Sequence, residues 1–213
     1  TLSRQALDRS TGAESIVLDD LARAYATDLD RGILNDDGTS GTHLGVLATT
    51  SIQSIAYTDA SPTVLEAIPK IPALLSAIQS AVYMGASHLV MAPRRFWWMA
   101  NALGTSFPFL QVDGMGAGGE RAGAITSREY GGIVGSIYGV PIVLDGNIPL
   151  TWSAGAPGAA AEDVILGVTA DECHLWEEAG SPLFIRAEQT AAATLGVLFV
   201  LYGDSAFTAG RYP

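Results

Sequence analysis

The sequence predicts an α+β fold. Three observations carry that reading. A long amphipathic helix stands near the N-terminus, over Thr11–Leu34. Strand-like apolar runs crowd the C-terminal half. Between them helices and strands mix without the regular alternation that a parallel α/β sheet requires.

The long helix has a marked start. Thr11 and Glu14 form a Thr-x-x-Glu capping box, which pairs two otherwise orphaned backbone N–H groups. Leu18, Leu21, Tyr25, Leu29 and Ile33 recur at steps of three or four and form one apolar stripe. Asp19, Asp20, Thr27, Asp30 and Arg31 fall largely elsewhere, and Asp19 precedes Arg23 at ion-pair spacing. Asn35 and Gly38 stop the helix. At 1.5 Å per residue the rod is roughly 30 Å long, suited to lie across a sheet as a strut.

The remaining elements follow in order. Thr1–Asp8 alternates weakly, as the end of a strand would. "NDDGTSGTHLGVL" is turn-rich and closes on an apolar patch. Ser51–Thr58 fits a short strand. Ser61-Pro62 opens a short helix near 62–68, and a second helix runs from Pro72 to Met84, ended by Gly85. "HLVMAP" is a buried strand, and "PRRFWWMANALG" a helix opened by Pro93 and closed by Gly104. Gly104–Glu129 is loop-like and rich in glycine. "GGIVGSIYGVPIVLDGNIP" holds two strands joined through Tyr138-Gly139, with a turn at Asp145-Gly146-Asn147. Trp152–Ala161 is an Ala/Gly/Pro loop. "DVILGV", "CHLW", "LFIRAE" and "TLGVLFVLYG" are strand candidates.

Composition narrows the function classes. The chain has 213 residues, 48 % of them hydrophobic and 15 % charged, so it must bury surface in its own core, in neighbouring subunits, or in both. The net charge is −11 and Lys70 is the single lysine. That opposes a tight grip on nucleic acid, which needs cations against phosphates, but it is compatible with enclosing nucleic acid. One cysteine, Cys173, excludes an internal disulfide framework. The longest apolar run, Thr190–Tyr202, is too short to span a bilayer as a helix. The chain opens on Thr1 rather than Met, so a processed or truncated piece of a longer protein is expected.

Motifs for chemistry are weak. Gly114-Met115-Gly116-Ala117-Gly118-Gly119 matches G-x-G-x-x-G after the possible strand "FLQVD". A dinucleotide site also needs a helix starting at those glycines and a carboxylate about 20 residues on. "ERAGAITSREYGG" is a poor helix and Asp145 sits in a turn. Asp171, Glu172, Cys173 and His174 are metal-capable, but neighbours in a strand point to opposite faces and cannot converge on one ion. His43 and His88 have no ligand-like spacing. Glu177-Glu178 reads as a solvated turn before Gly180. Phe96, Trp97 and Trp98 read as core, with Arg94 and Arg95 at the surface or an interface. No metal, cofactor or catalytic residue is assigned, and the chain is read as a non-enzyme.

The order of segments says more than any motif. The strut helix leads into the run Gly38, Thr39, Leu44, Gly45, Val46, Leu47. Then come a proline-interrupted helix pair, "VMAPRRFWWM", a glycine-rich loop, "GVPIVLDGNIP", and strands of the type "DVILGVTADECHLWEE". Nearly the whole chain resembles the major capsid protein family of tailed bacteriophages, with the Hong Kong ninety-seven type of fold.

The resemblance implies a peripheral domain whose first part is 1–50, with a spine helix over 12–34. It implies an axial domain over 51–156, a central sheet flanked by helices, and returning strands of the peripheral sheet over 157–213 that end near the axial domain. The axial loop would be Gly104–Glu129, with Gly114, Met115, Gly116, Gly118, Gly119, Glu120 and Arg121 at a subunit interface. The family's N-terminal arm and extended loop do not appear in this sequence, and Thr1–Asp8 resembles only the end of that loop's returning strand. Some members cross-link through a lysine, but Lys70 lies in the wrong region for that chemistry.

The function implied is a head subunit that self-assembles into pentamers and hexamers of an icosahedral shell. It would enclose DNA without sequence-specific binding, alongside scaffolding, portal and decoration proteins, with no membrane. It would reside in the virion, and in the host cytoplasm during assembly. The alternative with the same fold is an encapsulin-type compartment. The alternative from another class is a dinucleotide-binding oxidoreductase resting on Gly114–Gly119.

Overall fold

The computed structural model describes residues 2–10, 12–50, 52–57, 59, 61–103, 110–112, 133–150, 152–153, 156–157, 162–188 and 195–209. The chain opens with a two-residue strand β1 (Leu2–Ser3) and turns at once into helix α1 (Arg4–Arg9). The strand expected over Thr1–Asp8 is therefore mostly helix. Ser3 causes this: its hydroxyl accepts from the Ala6 N–H at 3.3 Å and caps the helix.

Helix α2 (Ala13–Asn35) is the predicted rod. Its cap is Gly12, with no side-chain hydrogen bond, so the expected Thr11–Glu14 box does not form; Thr11 itself lies outside the described residues. Glu14 turns instead to Arg186, at 3.4 Å. The expected Asp19–Arg23 ion pair is replaced by Arg31–Asp28, at 2.6 Å. Asp36 ends the helix in extended backbone, and Gly38 follows at φ +74°. After a short 3-10 turn, Val46–Ala48, residues 52–57 carry no regular structure, so the strand expected over Ser51–Thr58 is absent from them.

Helix α3 (Val64–Ala67) starts at Thr63 rather than at Ser61-Pro62. The Tyr57 hydroxyl accepts from the Thr63 N–H at 3.2 Å, and the Thr63 hydroxyl donates to Glu66 at 2.8 Å, which sets the start two residues later. Helix α4 (Lys70–Val82) takes Pro72 into its first turn, where no intrahelical N–H bond is needed. Tyr83, at φ +60°, ends it ahead of the expected Gly85. Strand β2 (His88–Met91) and helix α5 (Pro93–Leu103) follow as predicted. Next come β3 (Leu110–Val112), β4 (Ile133–Ile137), β5 (Val140–Leu144), β6 (Trp152–Ser153) and β7 (Ala156–Pro157). The chain closes with β8 (Ile165–Val168), β9 (His174–Glu177), β10 (Leu183–Ala187), β11 (Gly196–Tyr202) and β12 (Ser205–Thr208). The pair β6–β7 lies where a loop was expected, and β12 had no sequence signal.

The mixture of helix and sheet is α+β, and the chain divides into two compact units. One joins Thr1–Ala48 to His174–Thr208, and the other is built chiefly from Thr49–Cys173.

In the first unit β1, β11 and β10 form an antiparallel sheet, and β9 and β12 a separate antiparallel ribbon. Helix α2 contacts β11. Its stripe Leu18, Leu21, Tyr25, Leu29 and Ile33 is half-buried, whereas Ile16, off the stripe, is exposed. Register separates the sheet's two faces. Phe184 and Arg186 stand opposite Leu201 and Phe199, and this face bears the buried Val197 and Phe199, with Phe184 stacked on Phe199 at 5.7 Å. The Arg186–Glu14 pair places the helix over that same face. Burying one such side chain stabilises by roughly 1.5–3 kcal/mol. At the far end of α2, Gly45 passes so close that a β-carbon on it would stand 2.8 Å from the Leu34 carbonyl.

In the second unit the sheet order is β3-β4-β5-β2-β8, with β2 parallel to β5 and every other pair antiparallel. Strand β8, expected among the returning strands of the other sheet, is an edge of this one. Leu89, Met91, Ile137 and Ile142 from the sheet meet Val64, Ile71, Phe96 and Met99 from the three helices in one core. Gly167 in β8 leaves room for Ile78 and Leu74 of α4, since a β-carbon there would stand 2.5 Å from Ile78 Cδ1. Tyr138 and Gly139 join β4 to β5 at φ +51° and +79°, a two-residue hairpin turn whose twist matches the strands.

Candidate assembly surfaces

The loop assigned to a subunit interface, Gly114, Met115, Gly116, Gly118, Gly119, Glu120 and Arg121, lies outside the described residues. Its flanking strands are informative. A dinucleotide fold places the glycines between a strand and a helix that crosses over to a parallel strand. Here β3, before the glycines, pairs antiparallel with β4, the next strand among the described residues. That pairing is of a hairpin type and opposes the oxidoreductase reading.

The metal-capable run is arranged differently from the expected strand. Ala170–Glu172 forms a 3-10 turn, Cys173 ends it, and His174 begins β9. Burial pushes the Cys173 thiol up from its ordinary value, and the neighbouring Glu172 charge adds to this. Such a thiol stays protonated near neutral pH and is a poor nucleophile. Among the described residues no three His, Cys, Asp or Glu side chains are placed to hold a metal ion. His88 contacts the Ser87 hydroxyl at 3.0 Å, and His43 contacts Ser205 at 3.1 Å.

The start of α5 meets expectation in part: Arg94 is exposed, but one aromatic is not core. Phe96 and Met99 are buried, but Trp97 is 59 % exposed, because three consecutive helical positions cannot all face one core. Arg94 and Arg95 are not free surface cations. Both donate to Asp163, at 3.0 and 2.7 Å from their Nε atoms, and the Arg95 guanidinium lies 4.7 Å over the Trp98 ring. Arg94 also donates to the Leu150 carbonyl at 3.1 Å. This clamp ties the segment before β8 to the helix and has no reacting group in reach among the described residues.

Two surfaces stand out among the described residues, and the first is apolar. On the sheet face opposite α2, Leu183, Ile185 and Ala187 of β10 pair with Tyr202, Val200 and Leu198 of β11. None of these six side chains is charged. Leu183, Ile185 and Tyr202 are 43–46 % exposed, and the other three are half-buried. An antiparallel sheet with one face in water normally alternates apolar-in with polar-out. This sheet's open face is apolar, although the opposite face already bears Val197, Phe199 and Leu201 beside Arg186. The signal was in the sequence: "LFIRA" and "GVLFVLY" do not alternate as one-sided strands do. Strand β10 is also an edge of its sheet.

The β9–β12 ribbon adds a second surface. Trp176, packed near His174 with ring centres 5.7 Å apart, is 57 % exposed. Beside it lies a shallow depression of about 400 Å³ lined by Trp176, Glu177, Glu178, Asp204, Ser205 and Ala206. Glu177 itself accepts from the Tyr25 hydroxyl at 3.5 Å.

No protein-family model matches the chain, and a search of curated proteins finds no match.

Proposed function

We propose that this chain is the subunit of an icosahedral head of the tailed-phage type, a protein that works by repeated self-association and uses no catalytic residue. The observation that carries the reading is the uncharged sheet face of Leu183, Ile185, Ala187, Leu198, Val200 and Tyr202. A contiguous exposed apolar patch on a sheet face is a common mark of contact with another protein surface. In a chain of net charge −11, copies approach one another at least cost where carboxylates are missing, and this face has none. The architecture agrees with the resemblance in outline: a long helix lies on a sheet drawn from both ends of the chain, and a helix-flanked sheet is inserted between them.

On this reading the shell is built of pentamers and hexamers, in which one surface serves many times through symmetry. It encloses DNA without gripping it, as the acidic charge favours, and scaffolding, portal and decoration proteins join the same assembly. Its place is the virion, and the host cytoplasm before that.

The test is to produce the full-length protein in cells, image purified particles by electron microscopy, and assay them for nuclease-protected DNA. Closed shells bearing DNA are expected when the packaging proteins are present. Closed shells holding a cargo enzyme and no DNA would replace this reading with the encapsulin-type one. A protein that stays monomeric at high concentration, with no particles, would overturn both.

A further inference from the structure

We draw no further inference here: the strongest candidate, the shallow acidic depression beside the exposed Trp176 on the β9–β12 ribbon, is a cluster of carboxylates next to one aromatic ring, and nothing in the structure shows what covers it.

Discussion

Asp163 and Arg95 form a tight side-chain link in the second unit: the guanidinium Nε donates at 2.7 Å to a carboxylate that is 1 % exposed. Arg94 holds the other oxygen at 3.0 Å. Removing one partner of a buried pair leaves the other without compensation. Asp163→Ala is expected to lower unfolding free energy by about 2–3 kcal/mol, below the full range for buried pairs because Arg94 is half in water. Arg95→Ala should cost more than Arg94→Ala. Urea unfolding measures this, and a change under about 0.5 kcal/mol for Asp163→Ala would show the clamp to be incidental.

Gly45 is set by space. Its missing β-carbon would meet Leu34 and Asn35 backbone atoms at 2.8 Å, and backbone cannot step aside as a side-chain tip can. Gly45→Ala should destabilise by about 1–3 kcal/mol through overpacking. Gly146, with nothing within 4 Å of the same position, should accept alanine within about 0.5 kcal/mol. Equal melting temperatures for the two variants would refute the close approach.

Along α2, Leu21 sits on the half-buried stripe and Ile16 does not. Leu21→Asp places a charge against β11 and should cost about 2 kcal/mol or more. Ile16→Asp should cost under about 0.5 kcal/mol. The reverse order in thermal melts would mean that the helix is rotated on its sheet.

Ile185 lies at the centre of the uncharged face, opposite Val200. On the proposed reading, Ile185→Glu should weaken self-association at least about tenfold, near 1.4 kcal/mol, while leaving the melting temperature almost unchanged. Sedimentation velocity against concentration reads the first and calorimetry the second. Unaltered association would move the contact to another surface.

The Cys173 thiol has a raised pKa, from burial first and Glu172 second. Its folded value lies above the unfolded one, so its contribution to stability is complete below the unfolded pKa and is lost as pH rises through the folded value. That window opens above about pH 9. Alkylation at pH 8 should be several-fold slower in the native protein than in urea. Equal rates would show a solvated thiol.

Much of this fold was legible from local pattern. The strut helix, "HLVM", the α5 helix and the β4–β5 hairpin each carry their own periodicity or turn chemistry, so they appear within a residue or two of expectation. What escaped was non-local. Nothing in the neighbourhood of Arg94 announces Asp163, about 70 residues away, and Glu14 was claimed by a local cap when Arg186 holds it from the far end of the chain. The short β12 had too few residues to show a period. Residues 52–57 read Ile-Gln-Ser-Ile-Ala-Tyr, which puts Ile52 and Ile55 on opposite sides of a strand, and Ile55 stays in solvent, so there was no single face to bury. The interface role of the loop at Gly114–Arg121 rested on the family resemblance, and the loop lies outside the described residues. The uncharged sheet face was present in the sequence as an absence of alternation, and a strand reading alone does not say which side stays open.

The first unit is assembled from chain segments that leave the ribosome far apart in time. Leu2 and Ser3 wait for Val197 and Gly196 before their pairing exists, and α2 has no sheet to rest on until β11 has emerged. The bulk of the second unit, Thr49–Cys173, is continuous in sequence and precedes β10 and β11 in the nascent chain. Domains that are synthesised first fold first. The uncharged sheet face of β10 and β11 thus forms after most of the second unit has emerged. On the proposed reading, a growing chain carries no finished contact surface while many copies are translated side by side on one message.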